Sequence, residues 1–372
     1  MVPLWKIKRE SIRIGRQASS FIIPIFGYFR KLLYDFRRKS RVKVYQGISD
    51  LRDEVSILLI FQPSGLLEST ITQIKWLSDA GMSVVVVSNS DLAFKDRETL
   101  KKLCYLIVER PNIGYDFGGY REGILQLYDR RITPKFLYVM NDSIWLPLSS
   151  TTDLIYQSRA AKEDVWGIFL SLDAKPREKG LLDDEHIQSF FFRFSFSIMQ
   201  DRRFWRYWKR MPLINSKRMV IKLRELKMGN YFKKLGYEIG AMYNWKQVRD
   251  YILNASDENE MYAIIKHQCK LRDGGAKSIL PSMDSGRLSA LNARDRLRER
   301  IEKNQALFYS FAMHPYIMVK FGFPFLKKAY SDEMIAMRRE LVRLGLHNDF
   351  LPEVREEVAE WDSASTDHPT VR

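Results

Sequence analysis

The sequence predicts an α/β fold in which a mostly parallel central sheet is flanked by helices. Unbroken apolar runs of strand length, such as VSILLIF from Val55 and MSVVVVS from Met82, alternate with segments that have helical periodicity. A strand without apolar–polar alternation is typical of a parallel sheet that is covered on both faces. The chain of 372 residues is long enough to bury such a core.

The elements can be followed in order along the first half of the chain. After the strand at Val55, LLESTITQIKWLSDAG has apolar residues on one helical face and ends at Gly81, and the strand MSVVVVS follows. The helix DLAFKDRETLKKLC, the strand YLIVER, the helix REGILQLYDR and the strand FLYVM come next. Beyond residue 160 we expect strands in DVWGIFLSL and SFFFRFSFSIM, two helices before Tyr237, and further helices towards the C-terminus.

The N-terminal region predicts a basic amphipathic helix. Residues 1–43 contain twelve Lys or Arg and two acidic residues, so this segment has a net charge of +10 out of the chain's +16. The apolar residues that recur near helical spacing are Ile22, Phe26, Phe29, Leu33 and Phe36. The apolar run is too short to cross a bilayer, and no small-residue cleavage site of a signal peptide follows it. Two interpretations stay open: a helix on an anionic membrane surface, and a helix packed on the protein's own core.

Several classes of function are disfavoured by missing motifs. The chain has no Rossmann fingerprint after its first strand, no P-loop and no G-x-S-x-G nucleophile elbow. Its five histidines form no metal motif, and Cys104 and Cys269 lie far apart, so we expect reduced thiols and no zinc. In the basic stretch RRFWRYWKR, Phe204 and Trp208 are four residues apart, as on a helix face in a core. We therefore expect no nucleic-acid partner.

The segment PNIGYDFGGYREG from Pro111 has four glycines between two apolar segments. It follows the third predicted strand, and NDS from Asn141 follows the fourth. Ligands of parallel sheets bind at the carboxyl ends of the strands, where both segments and the earlier SNS fall. A glycine turn, a helix, an apolar strand and an Asn-Asp-Ser in this order resemble the nucleotide-sugar half of a GT-A glycosyltransferase.

The GT-A resemblance implies a donor site and a divalent metal. In that fold the glycine turn lies against the sugar diphosphate, and an acidic motif after the next strand binds Mg²⁺ or Mn²⁺, which neutralises the departing diphosphate. Asp142 is the metal-ligand candidate, although Ser143 stands where the familiar Asp-x-Asp pattern has its second carboxylate. Asp116 would bind donor hydroxyls. The other donor-binding candidates are Ser88, Asn89, Asn112, Gly114, Gly118, Gly119 and Asn141.

Three carboxylates are candidates for the catalytic base. In inverting GT-A enzymes a helix that ends in Gly-Tyr commonly begins with an acidic residue about eleven residues earlier, and Glu225 stands at that place in RELKMGNYFKKLGY. A carboxylate within hydrogen-bond reach can take the proton of the attacking hydroxyl. Asp184 and Glu185 are the rival bases. In the same DDEHIQ segment, His186 and Gln188 are candidates for binding the acceptor.

The sequence as a whole resembles the rhamnan synthesis protein F family of bacterial polysaccharide glycosyltransferases. The resemblance rests on VSNS, ERPNIGYDFGGYREG, VMNDSIWLPL, VWG, HIQSFFFRFS and HPYIMVKFGFPFLKK, and it covers roughly Val55 to Tyr330. The last segment departs from the family's Asn-Pro-Thr-His, because Phe311, Ala312 and Met313 precede His314. The resemblance implies transfer of a deoxysugar, with L-rhamnose from a dTDP donor favoured, onto a surface or capsular glycan.

The resemblance also implies a cellular location. The acceptors of such enzymes are often held on a polyprenyl diphosphate, so we expect a cytoplasmic protein that is peripheral on the inner face of the cell membrane.

We divide the chain into a basic membrane-proximal arm (1–50), a GT-A-like domain (51–270) and a C-terminal helical extension with an acidic tail (271–372). Within the domain, residues 51–160 form the donor half and residues 161–270 the acceptor half.

A non-catalytic protein is the alternative from another functional class. It would be a membrane-associated module that keeps the sugar-nucleotide fold without turning over a donor. The incomplete acidic motif from Asn141 to Ser143 favours this interpretation. Hydrolysis of a donor in the absence of acceptor would argue against it.

Overall fold

A computed structural model describes residues 4–172, 185–271, 278–302 and 314–362 of the chain. The strands of these residues are β1 (Lys43–Gln46), β2 (Glu54–Ile60), β3 (Met82–Ser88), β4 (Leu106–Glu109), β5 (Phe136–Asn141), β6 (Ile144–Trp145), β7 (Val165–Leu172), β8 (Glu185–Ile187), β9 (Phe191–Ser195), β10 (Ile239–Asn244) and β11 (Leu326–Lys327).

The helices of the same residues begin with a long N-terminal one. They are α1 (Leu4–Arg41), α2 (Glu68–Asp79), α3 (Phe94–Leu103), α4 (Tyr115–Asp129), α5 (Leu154–Ala160), α6 (Phe196–Gln200), α7 (Arg202–Arg210), α8 (Lys217–Val220), α9 (Leu226–Lys233), α10 (Trp245–Asn254), α11 (Glu258–Leu271), α12 (Leu280–Asp284), α13 (Ala290–Glu302), α14 (Pro315–Lys320), α15 (Asp332–Arg343) and α16 (Pro352–Trp361). A π-helical segment, Ile221–Glu225, connects α8 with α9.

The strands of the main sheet lie in the order β1-β4-β3-β2-β5-β9-β7-β10, and β8 pairs with β7. Strands β4, β3, β2 and β5 are parallel to one another, whereas β9 is antiparallel to both β5 and β7. The predicted α/β fold with parallel central strands is therefore confirmed. The strand order reverses between β2 and β5, because β3 and β4 lie on one side of β2 and β5 lies on the other. The crevice at such a reversal is the usual ligand site of an open α/β sheet.

Both faces of the parallel strands are covered. All residues of β2 and β3 are buried, as their unbroken apolar runs predict. Because side chains alternate between the faces, Leu58 packs in the layer of α2 and the C-terminal helices, whereas Ile57 packs in the layer of α4, α7 and α9. Phe204 and Trp208 are buried in the second layer, so neither ring is exposed for stacking on a base. Cys104 and Cys269 are buried free thiols.

The glycine segment is mostly helical, and here the prediction of a turn is wrong. Helix α4 already begins at Tyr115, after Gly114 with φ of +85°. A Cβ on Gly119 would lie 2.3 Å from Cδ1 of Leu59, and one on Gly118 would lie 2.1 Å from the carbonyl oxygen of Ile113. Burial of the helix on β2 thus outweighs the low helix propensity of glycine, and these glycines permit the close approach.

Elements on both sides of the predicted central domain pair with its strands or pack on its core. Strand β1, in the predicted arm, extends the sheet by pairing with β4. In the predicted C-terminal extension, β11 pairs with β6, and helices α13, α15 and α16 add side chains to the core that covers β2. His314 is buried, and its Nδ1 accepts a hydrogen bond from the backbone N–H of Tyr316 (3.2 Å) at the start of α14. The end of the predicted acidic tail lies outside the described residues.

Helix α1 is attached to the domain by its polar side chains. Arg38 pairs with the buried carboxylate of Glu122 on α4 at 2.9 Å, and Tyr34 Oη donates a hydrogen bond to it at 2.9 Å. On the same helices, Arg121 and Asp35 form an ion pair at 2.8 Å. The structure packs α1 on the domain through one face, where Tyr34 is buried and Ile23 lies against the second core layer. The opposite face of α1 is exposed and apolar, with Phe26, Phe29, Leu33 and Phe36. None of the described helices combines the length and the apolar character needed to cross a bilayer.

We expect Gly119→Ala to destabilise the fold by about 1–3 kcal/mol, because the added methyl group overlaps Leu59 in a filled interior. Gly229→Ala is the matched control, since it also replaces a helical glycine but its Cβ would lie 3.5 Å from Ile239, an ordinary contact. The control should be neutral or stabilising, because alanine favours helix more than glycine does. Urea unfolding of both variants measures the difference. Equal stability of the two variants would show that α4 can move away from β2 at no cost.

Candidate functional site

Asp142 joins the two strands between which the strand order reverses. It directly follows β5, and its Oδ2 accepts hydrogen bonds from the backbone N–H of Phe61 (2.8 Å) and from Nε2 of Gln62 (3.0 Å), the two residues after β2. Burial raises the pKa of the Asp142 carboxyl, and the hydrogen bond from Phe61 opposes this shift. The carboxylate therefore lies at the predicted crevice and connects the segments that follow β2 and β5 by hydrogen bonds.

A second carboxylate reaches the same crevice from the first turn of α4. Asp116 Oδ2 accepts a hydrogen bond from Nδ2 of Asn141 (3.2 Å), whose own Oδ1 accepts one from Oγ of Ser143 (2.6 Å). Burial raises the pKa of Asp116 to about 6, and the charges of Asp142 and Glu225 add to the shift. The sequence predicted the proximity of Asp116 and Asn141 only in general terms, since both follow strands.

Glu225 comes to the site from the other half of the chain. It ends the π-helical segment, and its Oε2 accepts a hydrogen bond from Oγ of Ser189 (3.0 Å). The carbonyl oxygen of Ser189 accepts a hydrogen bond from Oη of Tyr120 on α4 (2.7 Å). Tyr120 thus ties the loop that holds Glu225 to the helix that carries Asp116. π-Helical turns frequently occur at functional sites.

The other predicted donor residues lie beside this cluster or in the packing of α4. Asn89 Oδ1 accepts a short hydrogen bond from the guanidinium of Arg110, and Ser88 Oγ donates to the carbonyl of Ser90 (2.7 Å). Asn112 is exposed, and the backbone N–H of Gly114 donates to Oδ1 of Asn215 (2.8 Å). The buried packing of Gly118 and Gly119 is a structural reason for both glycines, and their contact with a donor stays a prediction.

The acceptor-side candidates are only partly described. Nε2 of His186 and Nε2 of Gln188 are 3.2 Å apart and share a hydrogen bond, and the histidine is buried. Gln188 directly precedes Ser189, the partner of Glu225. Asp184 lies outside the described residues, and of Glu185 the structure describes the backbone at the start of β8. Glu225 is therefore the base candidate whose surroundings the structure defines.

Sequence reasoning missed the lysines of the site. Lys327 lies in β11, paired with Ile144 of β6, and the backbone N–H of Lys328 donates to the carbonyl of Ser143 (2.9 Å). Burial lowers the pKa of Lys327 to about 8, while Glu225 and Asp116 raise it. Lys217, at the start of α8, interacts with both Asp116 and Lys327. Both lysines are visible in the sequence, in FPFLKK at the end of the late motif. No local sequence pattern, however, predicts that this segment lies near Asp142.

The residues present form a poor cage for a divalent metal. In the part of the chain that the structure describes, no three His, Cys, Asp or Glu side chains come together as a metal site. Asp142 Oδ2 already accepts two hydrogen bonds, and Asn141 Oδ1 accepts two from Ser143. A metal here would rely on one carboxylate and on the ligand's own phosphates, as Mg²⁺ does in many nucleotide sites.

Comparisons with known proteins agree with the sequence. A model of the rhamnan synthesis protein F family matches residues 84–273. The uncharacterized protein y4gN of Sinorhizobium fredii (strain NBRC 101917 / NGR234) is 33% identical over 381 residues, which cover 97% of this chain and 93% of that protein.

Similar solved structures include a mannosyltransferase and a protein in complex with UDP. The mannosyltransferase PcManGT from Pyrobaculum calidifontis, in complex with GDP-Man and Mn²⁺, is 13% identical with a TM-score of 0.33 over 96% of this chain and 97% of that one. S. aureus TarS 1-349 in complex with UDP is 12% identical with a TM-score of 0.28 over 86% and 93%. Because these TM-scores are low, no conclusion is based on the two structures, and the family match is the finding on which the next step depends.

We expect Asp116→Asn to stabilise the protein at neutral pH by on the order of 1–3 kcal/mol, because it removes a buried charge. The pKa of about 6 in the folded protein lies above the ordinary Asp value of 3.8, so the wild type loses stability as pH rises from about 4 to 6, and the variant does not. The gain should be absent near pH 3.5 and complete above pH 6. Thermal unfolding across this range measures it, with the exposed Asp79→Asn as control. A variant that is less stable than wild type at pH 7 would contradict the burial argument.

Proposed function

This chain belongs to the rhamnan synthesis protein F family, and on that premise we propose that it is a glycosyltransferase in the synthesis of a surface polysaccharide. The observation that carries the proposal is the gathering of Asp116, Asp142 and Glu225 at the carboxyl ends of β2 and β5. The donor that we propose is dTDP-L-rhamnose. The acceptor that we propose is a glycan on a polyprenyl diphosphate.

The site supports transfer by direct displacement. The acceptor hydroxyl attacks the anomeric carbon, the bond from that carbon to the diphosphate oxygen breaks, and the nucleoside diphosphate leaves with the bonding electrons. Glu225 takes the hydroxyl proton, since Ser189 holds its carboxylate in place by a hydrogen bond. Asp116 and Asn141 orient the donor sugar through its hydroxyls. A single displacement of this kind inverts the anomeric centre.

Mg²⁺ or Mn²⁺ remains a prediction of the GT-A resemblance. Asp142 would be its carboxylate ligand, and the diphosphate would supply further oxygens. Such a metal would neutralise charge on the leaving group. The described residues offer few ligands for this metal, which weakens the metal assignment. The same observation favours the alternative of a non-catalytic membrane-associated module.

We expect Glu225→Gln to lower kcat by roughly 10² to 10⁴ with little change in donor affinity, because a general base acts on the reaction step. Asp116→Asn should weaken both donor binding and kcat. Asp79→Asn, exposed at the end of α2, is the control and should match wild type. The assay is release of nucleoside diphosphate from dTDP-L-rhamnose, UDP-sugar and GDP-sugar donors, with and without acceptor glycan. Nucleotide binding by wild type without turnover of any donor would support the non-catalytic module.

We also propose that the protein works on an anionic membrane surface, at the inner face of the cell membrane, through the exposed face of α1. The apolar side chains of this face include Phe29 and Phe36, which are 65% and 87% exposed. A helix on a soluble domain normally buries its apolar face, but α1 buries its polar one against α4. Arg37 and Lys39, exposed beside Phe36, favour an anionic lipid surface as the occupant over an apolar protein partner.

Vesicle sedimentation tests the membrane proposal. We expect the wild type to bind anionic vesicles more strongly than zwitterionic ones, and the double variant Phe29→Ser, Phe36→Ser to bind at least about tenfold more weakly, from about 1.5–3 kcal/mol per buried Phe. The matched control is Phe94→Ser, Tyr156→Ser, which removes rings of 73% and 74% exposure elsewhere. Equal binding by both double variants would contradict the proposal. A solution dimer that only the α1 variant dissociates would identify a second copy of the chain as the occupant.

A further inference from the structure

A donor that enters this site brings two phosphates into the neighbourhood of three carboxylates. Asp116 interacts electrostatically with both Asp142 and Glu225, and like charges repel. An anionic diphosphate can bind there only if cations offset its charge. Among the residues that the structure describes, the carboxylates provide few ligands for a metal, so we looked for the cations among the basic side chains.

Lys327 is the cation that the fold brings to these carboxylates most directly. Its backbone is fixed by the β11–β6 pairing, opposite Ile144, two residues after Asp142. Its ammonium lies 4.1 Å from the centre of the Phe190 ring, and Phe190 follows Ser189, the hydrogen-bond partner of Glu225. The same ammonium interacts with Glu225 and Asp116. Lys327 therefore reaches the site from β11, which lies outside residues 84–273, the segment that the family model matches.

Lys217 belongs to a second element near the site. It is exposed at the first residue of α8 and interacts electrostatically with Asp116 and Lys327. Two residues before it, Asn215 accepts the hydrogen bond of the Gly114 N–H at the start of α4. This hydrogen bond holds the segment before α8 against the helix that carries Asp116, and the charges of Lys217 and Lys327 both act on Asp116.

Lys328 shows what a lysine with a structural role looks like in this fold. It is buried, its Nζ donates to Oγ of Ser69 (3.2 Å), and it lies 3.9 Å from the carboxylate of Glu357 on α16. Its ammonium also lies 5.2 Å from the Trp145 ring centre. The charge of Lys328 also acts on Asp142. The inference concerns Lys217 and Lys327, because their charges act on Asp116.

We infer that Lys217 and Lys327 bind the diphosphate of the nucleotide-sugar donor and stabilise it as the leaving group. This inference rests on the proposed function and adds the residues that carry the positive charge. When the bond between the anomeric carbon and the diphosphate oxygen breaks, the electron pair stays on that oxygen, and the two ammonium groups offset the negative charge that develops. The proton of the acceptor hydroxyl passes to the carboxylate of Glu225. The two ammonium groups thus supply the positive charge beside the leaving group that a metal ion would otherwise supply.

Calorimetric titration with dTDP, UDP, GDP and the matching nucleosides tests the inference in EDTA and in Mn²⁺. We expect the wild type to bind one of the three nucleoside diphosphates in EDTA. Lys327→Met and Lys217→Met should each weaken that binding at least tenfold without weakening the binding of the matching nucleoside. Lys327→Arg should restore most of the affinity, because it keeps the charge. Lys75→Met, exposed on α2, is the control and should bind as wild type does. Because Lys217 is exposed, Lys217→Met should fold, and it still tests the inference if Lys327→Met does not fold.

The possible failures point to different conclusions. Diphosphate binding that requires Mn²⁺ and is unchanged in both Met variants would overturn the inference while leaving the proposed function intact. Equal losses for nucleoside and diphosphate would show that the lysines only maintain the fold, which also overturns it. If the wild type binds no nucleotide in either condition, the proposed function fails, and the inference fails with it.

Discussion

The close approach of α4 to β2 is the constraint on which the rest of the molecule depends. Gly119 has no room for a side chain against Leu59, so the helix lies directly on the strand. From this position the first turn of α4 carries Asp116 to the end of β5, and Tyr120 reaches the carbonyl of Ser189. Two residues after Tyr120, Glu122 forms an ion pair with Arg38 of α1. A larger distance between helix and strand would displace the site and the exposed helix together.

The site assembles charges from separate parts of the chain. Asp116 comes from the first turn of α4, Asp142 from the residue after β5, Glu225 from the π-helical segment, and Lys327 from a short C-terminal strand. Burial raises the pKa of Asp116, and the charges of Asp142 and Glu225 raise it further. The charges of Lys327 and Lys217 oppose this shift. Because β11 is paired with β6, the position of Lys327 is set by backbone hydrogen bonds and not by a flexible loop.

Much of the fold could be predicted from the sequence, because buried parallel strands leave a strong local pattern. Strands β2 and β3 were predictable from seven-residue runs that turned out to be buried throughout. Short strands such as β6 and β11 have two residues each and leave no periodicity to detect. The start of α4 was predicted as a turn because its glycines disfavour helix in isolation, whereas packing on β2 decides otherwise.

The sequence by itself determined the order of the elements from β2 to β5, the family, and the strand-end position of Asp142, because apolar periodicity and motif spacing are local properties. The spacing that resembles GT-A enzymes also predicted Glu225 as a candidate base. The tertiary structure decided that Glu225, Asp116 and Lys327 share one site, and that α1 buries its polar face. These arrangements depend on contacts between residues far apart in the chain, such as Lys327 with Ile144 and Arg38 with Glu122, which no local pattern specifies.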